Sequence, residues 1–188
     1  MVRAYTSEPL ERAAIDGLCD LARRAPSAGH SQGVDLLVLH GPEPVARYWS
    51  VTLPPERRDS FRWPGLVTAP ALIVVVVDPE AYVRRYGEGD KVGTGLGETP
   101  GAWPVPYWWV DAGAAIEHLL LGATAAGLGA CLFGAFDHEA AVSQAFGIPD
   151  GRRIVGTVSV GHPAPDEPGR SAGRPRRSLD DVVHRDTW

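Results

Sequence analysis

The hydrophobic pattern of the chain is most regular between positions 111 and 137. Apolar residues recur at helical spacing from 116 to 123, which predicts a helix with one buried face. We expect this helix to open at Asp111, because a carboxylate can accept hydrogen bonds from the free N–H groups of a first helical turn. Each glycine inside a helix costs about 1 kcal/mol relative to alanine. Gly113 and Gly122 therefore indicate that another backbone approaches this helix closely.

A glycine-rich ending follows that helix. Gly127 and Gly129 are placed to end it, since glycine adopts the left-handed conformation of a helix C-cap without strain. Residues 131–133 then predict a short apolar strand, and residues 134–137 turn into the next helix. A rigid helix and strand that position a glycine turn are a typical framework for a binding site.

The rest of the chain alternates predicted helices and strands. Residues 71–77 are a continuous run of Ala, Leu, Ile and Val, typical of a central strand that is covered on both faces. Further helices are predicted at 9–24, 44–49 (one or two turns) and 138–146, further strands at 34–39 and 154–160, and an irregular connector at 51–64. Residues 80–106 are a variable loop rich in Gly, Pro and Trp, which we expect to be mobile. The pattern predicts one α+β domain over residues 1–188, in three layers (α/β/α), with an exposed C-terminal arm at 162–188.

Composition argues against several classes of protein. With 188 residues and 44% hydrophobic content, the chain is long enough to bury one core. A formal net charge of −5 and a pI near 5.6 argue against nucleic acid or an anionic membrane as the main partner. No apolar run reaches the roughly 20 residues that span a bilayer. Cys19 and Cys131 lack metal-ligand spacing, so no metal is assigned, and both are expected to be buried thiols in a reducing cytoplasm.

The C-terminal arm concentrates cations in an otherwise acidic protein. Arg174, Arg176 and Arg177 follow one another closely. Their guanidinium groups suit bidentate contact with a phosphate or a carboxylate. From composition alone, a solvated basic tail is the alternative interpretation.

Five segments, taken in order, carry a resemblance to a known family. They are VRAYTSEPL, RRAPSAGHSQ, DAGAAIEHLLLGATAAGLGACLFGAFD, AFGIPDGRRIVGTVSVGHP and RPRRSLDDVVHRDTW. Together they resemble the FMN-dependent nitroreductase family along nearly the whole chain. The resemblance implies a central mixed, mainly antiparallel sheet flanked by helices, and a homodimer with FMN in the interface, touched by both subunits. It also implies that the small-faced helix packs across this interface and that the arm wraps onto the partner.

The same resemblance implies that the turn after the first helix contacts FMN. The family's turn reads roughly A-P-S-x-x-N-x-Q, and here Pro26, Ser27, Ala28 and Gly29 match it. His30 stands where Asn is usual, and an imidazole can also donate and accept hydrogen bonds. A hydroxyl that only stabilises the local turn is the alternative role for Ser27.

Two further groups of cofactor contacts follow from the resemblance. The turn of Phe133, Gly134 and Ala135 matches the segment whose backbone N–H groups face the flavin N5, which suits an atom that takes up hydride beside a fixed donor. Arg174 and Arg176 match the cationic pair that holds the FMN phosphate. With the resemblance added, the solvated-tail interpretation becomes the weaker one.

The N-terminus departs from the family pattern. Members commonly begin with an R-R-S-x-R/K segment that contributes a phosphate-binding arginine and a serine, and here only its last basic position is matched, by Arg3. Either the chain starts too late, or the FMN phosphate is held with one cation fewer. Arg3 is also a candidate to compensate the charge of reduced flavin.

The resemblance implies an FMN-dependent NAD(P)H oxidoreductase. FMN would accept hydride at N5 from NADH or NADPH and pass electrons to a nitroaromatic, a quinone or another small unsaturated acceptor in a ping-pong cycle. No catalytic side chain is assigned, because the cofactor chemistry can proceed without one. Two alternatives stay open: a dedicated biosynthetic FMN-dependent dehydrogenase or oxidase, and a non-catalytic flavin-binding dimer.

Overall fold

A single antiparallel sheet organises the computed structural model, which describes residues 1–169 and 171–188. Its strands are β1 (Val34–His40), β2 (Ala71–Val77), β3 (Gly129–Phe133) and β4 (Arg153–Gly161). They lie in the order β1-β2-β4-β3, and each neighbouring pair is antiparallel. The resemblance implied a mixed, mainly antiparallel sheet, and in the described part of the chain every pair is antiparallel.

The central strand β2 separates two hydrophobic cores, because successive side chains of a strand point to opposite faces. Ile73, Val75 and Val77 lie in one core, and Leu72 and Val74 lie in the other. Every residue of the strand is buried, as the continuous apolar run predicts. Both faces of the sheet must therefore be covered by helices.

Helices supply most of that cover, and the described part of the chain contains six α-helices. They are α1 (Arg12–Ala22), α2 (Pro42–Thr52), α3 (Pro55–Arg58), α4 (Pro79–Tyr86), α5 (Tyr107–Ala125) and α6 (Glu139–Phe146). Buried residues of α1 and α5 belong to the core of Ile73, whereas those of α2 and α6 belong to the core of Leu72. The predicted three-layer arrangement is confirmed. The segments at 44–49 and 51–64 are more helical than predicted, since α2 and α3 occupy much of them.

The prediction that the long helix opens at Asp111 is wrong. The helix α5 begins at Tyr107, so that Asp111 lies in its second turn and is buried. The reason is that Trp108 packs into the core beside Ala112 and extends the buried face by one turn. Asp111 is therefore a buried carboxylate inside a helix and has a partner elsewhere in the chain.

Gly122 has its packing reason within one chain. A Cβ atom at Gly122 would lie 2.8 Å from Leu21 Cδ1 and 3.0 Å from Leu18 Cδ2, both on α1. The close neighbours of this glycine are thus side chains of α1 in the same chain, so the prediction that another backbone approaches Gly122 is wrong. A Cβ at Gly113, by contrast, would meet nothing within 4 Å, and Gly113 is exposed.

The segment at 80–106 is not a free loop. Its first part is the helix α4, where Asp78 accepts a hydrogen bond from the Glu80 N–H at 3.1 Å. Trp103 is buried, and its indole N–H donates to the Leu96 carbonyl at 2.9 Å. The glycines and prolines allow tight turns, but the aromatic side chains fold the segment onto the core.

The C-terminal arm begins beside the N-terminus. The Ala164 N–H donates to the Ala4 carbonyl at 3.0 Å, and Tyr5 pairs with Pro163 in an isolated antiparallel bridge. Residues 171–188 of the arm are all exposed. No helix in the described part of the chain is long and apolar enough to cross a membrane.

Candidate active site

The loop at residues 26–32 has an unusual backbone. Gly29, His30 and Gln32 have positive φ angles of 60°, 59° and 50°. Glycine takes this conformation freely, and histidine, like asparagine, is enriched in it among the other residues. The replacement of the family's usual Asn by His30 is therefore compatible with the turn. A left-handed non-glycine residue costs on the order of 1–3 kcal/mol, so surrounding contacts must hold this 26–32 loop.

Two side chains, Asp111 and Arg85, bond to the backbone of the 26–32 loop, and Tyr82 bonds to Asp111. Asp111 Oδ2 accepts from the Ala28 N–H at 2.9 Å and from the Tyr82 hydroxyl at 2.7 Å. Arg85 Nε donates to the Gly29 carbonyl at 2.7 Å. Burial, and then the hydrogen bond to Asp111, raise the pKa of Tyr82 well above its ordinary value, so that the phenol keeps its proton and remains a donor.

The anchors are supported in turn by the 80–106 segment. Arg85 donates to both carboxylate oxygens of Asp90, at 2.7 and 2.8 Å, and this hydrogen bonding lowers the pKa of Asp90 to about 2. A Cβ at Gly29 would lie 2.7 Å from the Tyr86 ring, which itself packs on Trp103 with ring centroids 4.6 Å apart. Only glycine allows the loop to approach this aromatic wall so closely.

A polar cavity of about 670 Å³ opens at the surface of the loop. Pro26, Ser27, His30 and Asp111 line it, together with Arg23 and Arg24. Ser27 Oγ accepts from the Gln32 N–H at 3.1 Å, which leaves its own proton free to donate into the cavity. Ala28 and Gly29 contribute through their backbone bonds to the anchors, not through this cavity.

The turn at Phe133, Gly134 and Ala135 lines a second cavity, of about 270 Å³. Its walls are largely aromatic, and Trp49 stacks on Phe133 with centroids 5.6 Å apart and planes 18° apart. The backbone N–H groups of Gly134 and Ala135 have no acceptor in the described part of the chain. Among the buried side-chain nitrogens and oxygens of the described residues, only Trp49 Nε1, which lines this cavity, lacks a hydrogen-bond partner. Aromatic walls and free donors suit a planar ring that carries acceptor atoms.

The glycine in this turn has a steric role. A Cβ at Gly134 would lie 2.7 Å from the Phe136 ring. Phe136 has a positive φ of 42° and is 86% exposed, which is unusual for a phenylalanine. Gly134 therefore lets an exposed aromatic ring fold back over the turn.

Arg3 and Arg176 share a third cavity, of about 490 Å³. Asp166 and Glu167 also line it, and the backbone N–H of Arg3 donates to Asp166 at 2.8 Å. The guanidinium of Arg3 lies 4.8 Å from the centroid of Trp63, a residue that also lines the aromatic cavity. Arg3 therefore adjoins both the third cavity and the aromatic one.

The predicted cofactor contacts do not converge within one chain. The 26–32 loop lies on the α1/α5 side of the sheet, where Ala28 packs on that core, whereas Phe133 and Ala135 pack on the α2/α6 side. Arg174 is exposed, donates its backbone N–H to the Ser171 carbonyl at 3.1 Å and does not line the cavity of Arg176.

The sequence interpretation missed the residues that anchor the 26–32 loop. Asp111, Tyr82 and Arg85 are separated from it by dozens of positions, the pair of Asp111 and Ala28 by 83. One signal was available, because an acidic residue within an apolar helical face needs a buried partner.

Comparisons with known proteins agree with this architecture. A protein from Archaeoglobus fulgidus, provisionally named an NADH dehydrogenase/NAD(P)H nitroreductase, is 25% identical over 100% of this chain and 92% of its own length. A 4-nitrobenzoate reductase from Nocardioides sp. is 30% identical over 95% of this chain and 83% of its own length. A protein from Desulfovibrio desulfuricans, provisionally named a nitroreductase, has a crystal structure in complex with FMN. Its sequence is 22% identical and its TM-score is 0.68, and the match covers 100% of this chain and 91% of that one.

The family assignment rests on a match to a family sequence model, and the matched residues include both backbone turns of the candidate site. The sequence model described as the nitroreductase family matches residues 1–162, which include the 26–32 loop, the turn at Phe133 and all four strands of the sheet. Since this match spans most of the 188 residues, the chain belongs to the nitroreductase family.

Proposed function

We propose that the protein is an FMN-dependent oxidoreductase that uses NADH or NADPH as the electron donor. Family membership supports this proposal, as do the names of two relatives and the FMN complex of a structural neighbour. The observation that carries it is the turn at Gly134 and Ala135, where two backbone donors without acceptors stand beside stacked aromatic walls. A flavin ring is planar and has acceptor atoms along one edge, so this turn fits it.

The roles of the chain follow from this fit. FMN, when bound, supplies hydride transfer between a nicotinamide and an acceptor through its N5. The backbone of Gly134 and Ala135 would hold the acceptor edge of the ring, where fixed dipoles cost no reorganisation. Ser27 and His30 would donate to the same cofactor, while Pro26, Ala28 and Gly29 give the loop its shape. Aromatic side chains would exclude water from one face of the ring.

We assign the phosphate contact to Arg3, Arg174 and Arg176. Arg3 and Arg176 already share a cavity in one chain. Asp166, which lines the same cavity, accepts from the backbone N–H of Arg3, so this bond does not use the Arg3 guanidinium that would contact the phosphate.

We infer a homodimer from the division of the contacts between two faces of the sheet. One chain cannot offer both the 26–32 loop and the turn at Phe133 to one flavin, but two chains related by a two-fold axis can. The helix α5 also carries an exposed stripe at helical spacing: Val110, Gly113, Glu117 and Leu121, of which Val110 is 51% and Leu121 is 59% exposed. Exposed apolar side chains grouped on one helix face mark interaction surfaces, and here Val110 and Leu121 are the apolar members of a stripe that also contains Glu117.

The absorbance spectrum of the purified protein tests the function. After incubation with FMN and removal of the excess, the protein should show a visible flavin band that NADH or NADPH bleaches without oxygen. A nitrobenzoate or a quinone should then restore the band, and initial rates should give the parallel double-reciprocal lines of a ping-pong cycle. A sample that takes up no FMN would overturn the proposal.

The other outcomes distinguish the alternatives. Bleaching by a chemical reductant but by neither nicotinamide would indicate a non-catalytic flavin-binding dimer. Slow bleaching by nicotinamides, with rapid reoxidation by oxygen, would indicate a biosynthetic dehydrogenase or oxidase.

The two free cysteines, Cys19 and Cys131, favour the reducing cytoplasm as the location, since disulfides persist in oxidising compartments.

Replacing Arg176 with alanine is expected to weaken FMN binding about 10- to 100-fold, because a hydrogen bond to a charged group contributes about 1.5–3 kcal/mol. The affinity for riboflavin, which lacks the phosphate, should change less than twofold. Arg177→Ala is the matched control, since Arg177 donates to the Asp181 carbonyl within the arm. Equal losses for FMN and riboflavin would show that Arg176 does not contact the phosphate.

A further inference from the structure

We propose that Asp111 and Tyr82 are positioning residues that hold the 26–32 loop in its flavin-binding conformation before the cofactor arrives. This inference rests on the proposed function, and it assigns a role to two buried groups that do not themselves contact the reacting atoms. Its basis is one carboxylate oxygen, Oδ2 of Asp111, which receives both the Ala28 N–H at 2.9 Å and the Tyr82 hydroxyl at 2.7 Å.

The loop needs an external anchor because its own backbone is unfavourable. His30 and Gln32 are non-glycine residues with positive φ, and the loop has little regular structure beyond a short 3₁₀ turn at Ala28–His30. Local turn bonds, such as the His30 N–H to the Ser27 carbonyl at 2.9 Å, also exist in many other turn shapes. The charge-assisted bond from Ala28 to Asp111 ties this turn to a rigid helix, and such bonds are roughly twice as strong as neutral ones.

Tyr82 has a separate task, which is to orient the carboxylate. The phenol is fully buried on α4 and donates to the same oxygen that the Ala28 N–H uses. Its ring packs edge-on against Trp103 with centroids 5.9 Å apart. The position of the carboxylate is thereby fixed by a ring that cannot shift without disturbing the aromatic cluster.

Burial argues that the carboxylate is there for the loop. Asp111 is 6% exposed, and a buried charge needs hydrogen-bonded compensation. In the described part of the chain its side-chain bonds go to the loop and to Tyr82. It also lines the cavity of Ser27 and His30, so that the loop and its anchor share one wall of the candidate site.

Three substitutions weaken the contact between Asp111 and the loop to different extents. Asp111→Ala removes the acceptor altogether, and Tyr82→Phe removes only the hydroxyl that orients it. Asp111→Asn keeps an oxygen that can accept from Ala28, while its amide can donate to the Tyr82 oxygen. The expected order of loop disorder is therefore Asp111→Ala, then Tyr82→Phe, then Asp111→Asn.

The test is FMN affinity, measured by quenching of flavin fluorescence, together with the melting temperature of each apoprotein. If the binding-competent loop becomes about tenfold rarer, the apparent Kd rises about tenfold. We expect at least this rise for Asp111→Ala, a rise of about threefold or more for Tyr82→Phe, and recovery towards wild type for Asp111→Asn. The circular dichroism of any bound flavin should change in the same order.

Leu39→Ala is the control for a purely structural effect. Leu39 is 3% exposed, belongs to the α2/α6 core and lines none of the three cavities described above, so the substitution loosens the core without touching the loop. It should lower the melting temperature at least as much as Tyr82→Phe and leave the Kd for FMN within twofold. If the Kd follows the melting temperature equally in all variants, the positioning role is overturned.

The outcomes also separate this inference from the proposed function. Wild-type protein that binds no FMN overturns the function, whereas wild type and Tyr82→Phe with equal affinity overturn only the inference. If Asp111→Ala fails to fold, the comparison of Tyr82→Phe with Asp111→Asn and Leu39→Ala still decides the question.

Discussion

Replacing Gly113 with arginine is expected to reduce the particle in solution to a monomer of 20.1 kDa and to abolish FMN retention. A Cβ at Gly113 would meet nothing within 4 Å in one chain, so the folded subunit accepts the longer side chain. Helix propensity even favours it, since arginine is better than glycine within a helix by nearly 1 kcal/mol. In the proposed dimer, however, the long arginine side chain would occupy the space that Gly113 leaves for the partner subunit on the face of Val110 and Leu121.

Sedimentation or light scattering gives the mass of this variant, and absorbance gives the flavin content. Gly17→Arg is the matched control, because Gly17 is an exposed glycine of α1 whose Cβ would also meet nothing within 4 Å. It should stay dimeric and yellow. A Gly113→Arg dimer would place the interface elsewhere, and a monomer that keeps FMN would show that one chain forms the whole site.

Replacing Gly97 with alanine is expected to lower the free energy of unfolding by about 1–3 kcal/mol, which is typical of overpacking. The new Cβ would lie 2.6 Å from both Gly87 Cα and the Tyr86 carbonyl carbon, and backbone atoms cannot rotate away. The backbone near Leu96, which accepts the hydrogen bond of the Trp103 indole, would shift. The rings of Trp103 and Tyr86, which pack behind Gly29, would shift with it. FMN affinity should therefore fall together with stability.

Urea unfolding of the apoprotein measures the first effect, and flavin fluorescence measures the second. Gly93→Ala is a close control: it lies four residues away in the same segment, is exposed, and its Cβ would meet nothing within 4 Å. That substitution should leave both quantities nearly unchanged. Equal behaviour of Gly97→Ala and Gly93→Ala would contradict the idea that the 80–106 segment is folded onto the core and supports the loop.

Local patterns predicted the framework well, because they reflect forces between residues that are close along the chain. The continuous apolar run at Ala71–Val77 became the central strand, and the helical spacing after position 111 became most of α5. The start of α5 was wrong by four residues, since tryptophan packing at Trp108 depends on Tyr82 and Trp103, which the spacing does not reveal. The same dependence turned a predicted mobile loop into part of the core.

Of the candidate FMN contacts, the sequence could indicate the residues but not their positions relative to one another. Ser27 and His30 could be named from a short motif, and the free donors of Gly134 and Ala135 lie where the resemblance implied a backbone role. The motif could not show that these groups face opposite sides of the sheet, because which face a segment lies on depends on strand order and crossing connections. Arg174 and Arg176 look equivalent in sequence, yet only Arg176 lines the cavity of Arg3.

By itself, the sequence determined the kind of protein: a three-layer α+β domain with a glycine-bearing turn, a basic arm and the motifs of a flavin-binding family. Only the tertiary structure decided how the site is held. Asp111 meets Ala28 across 83 residues and Tyr82 across 29, and it does so because α5 and α4 pack against the same side of the sheet. A carboxylate in an apolar helix is a local fact, but the hydrogen bonds that make its burial favourable form only when distant elements are packed together.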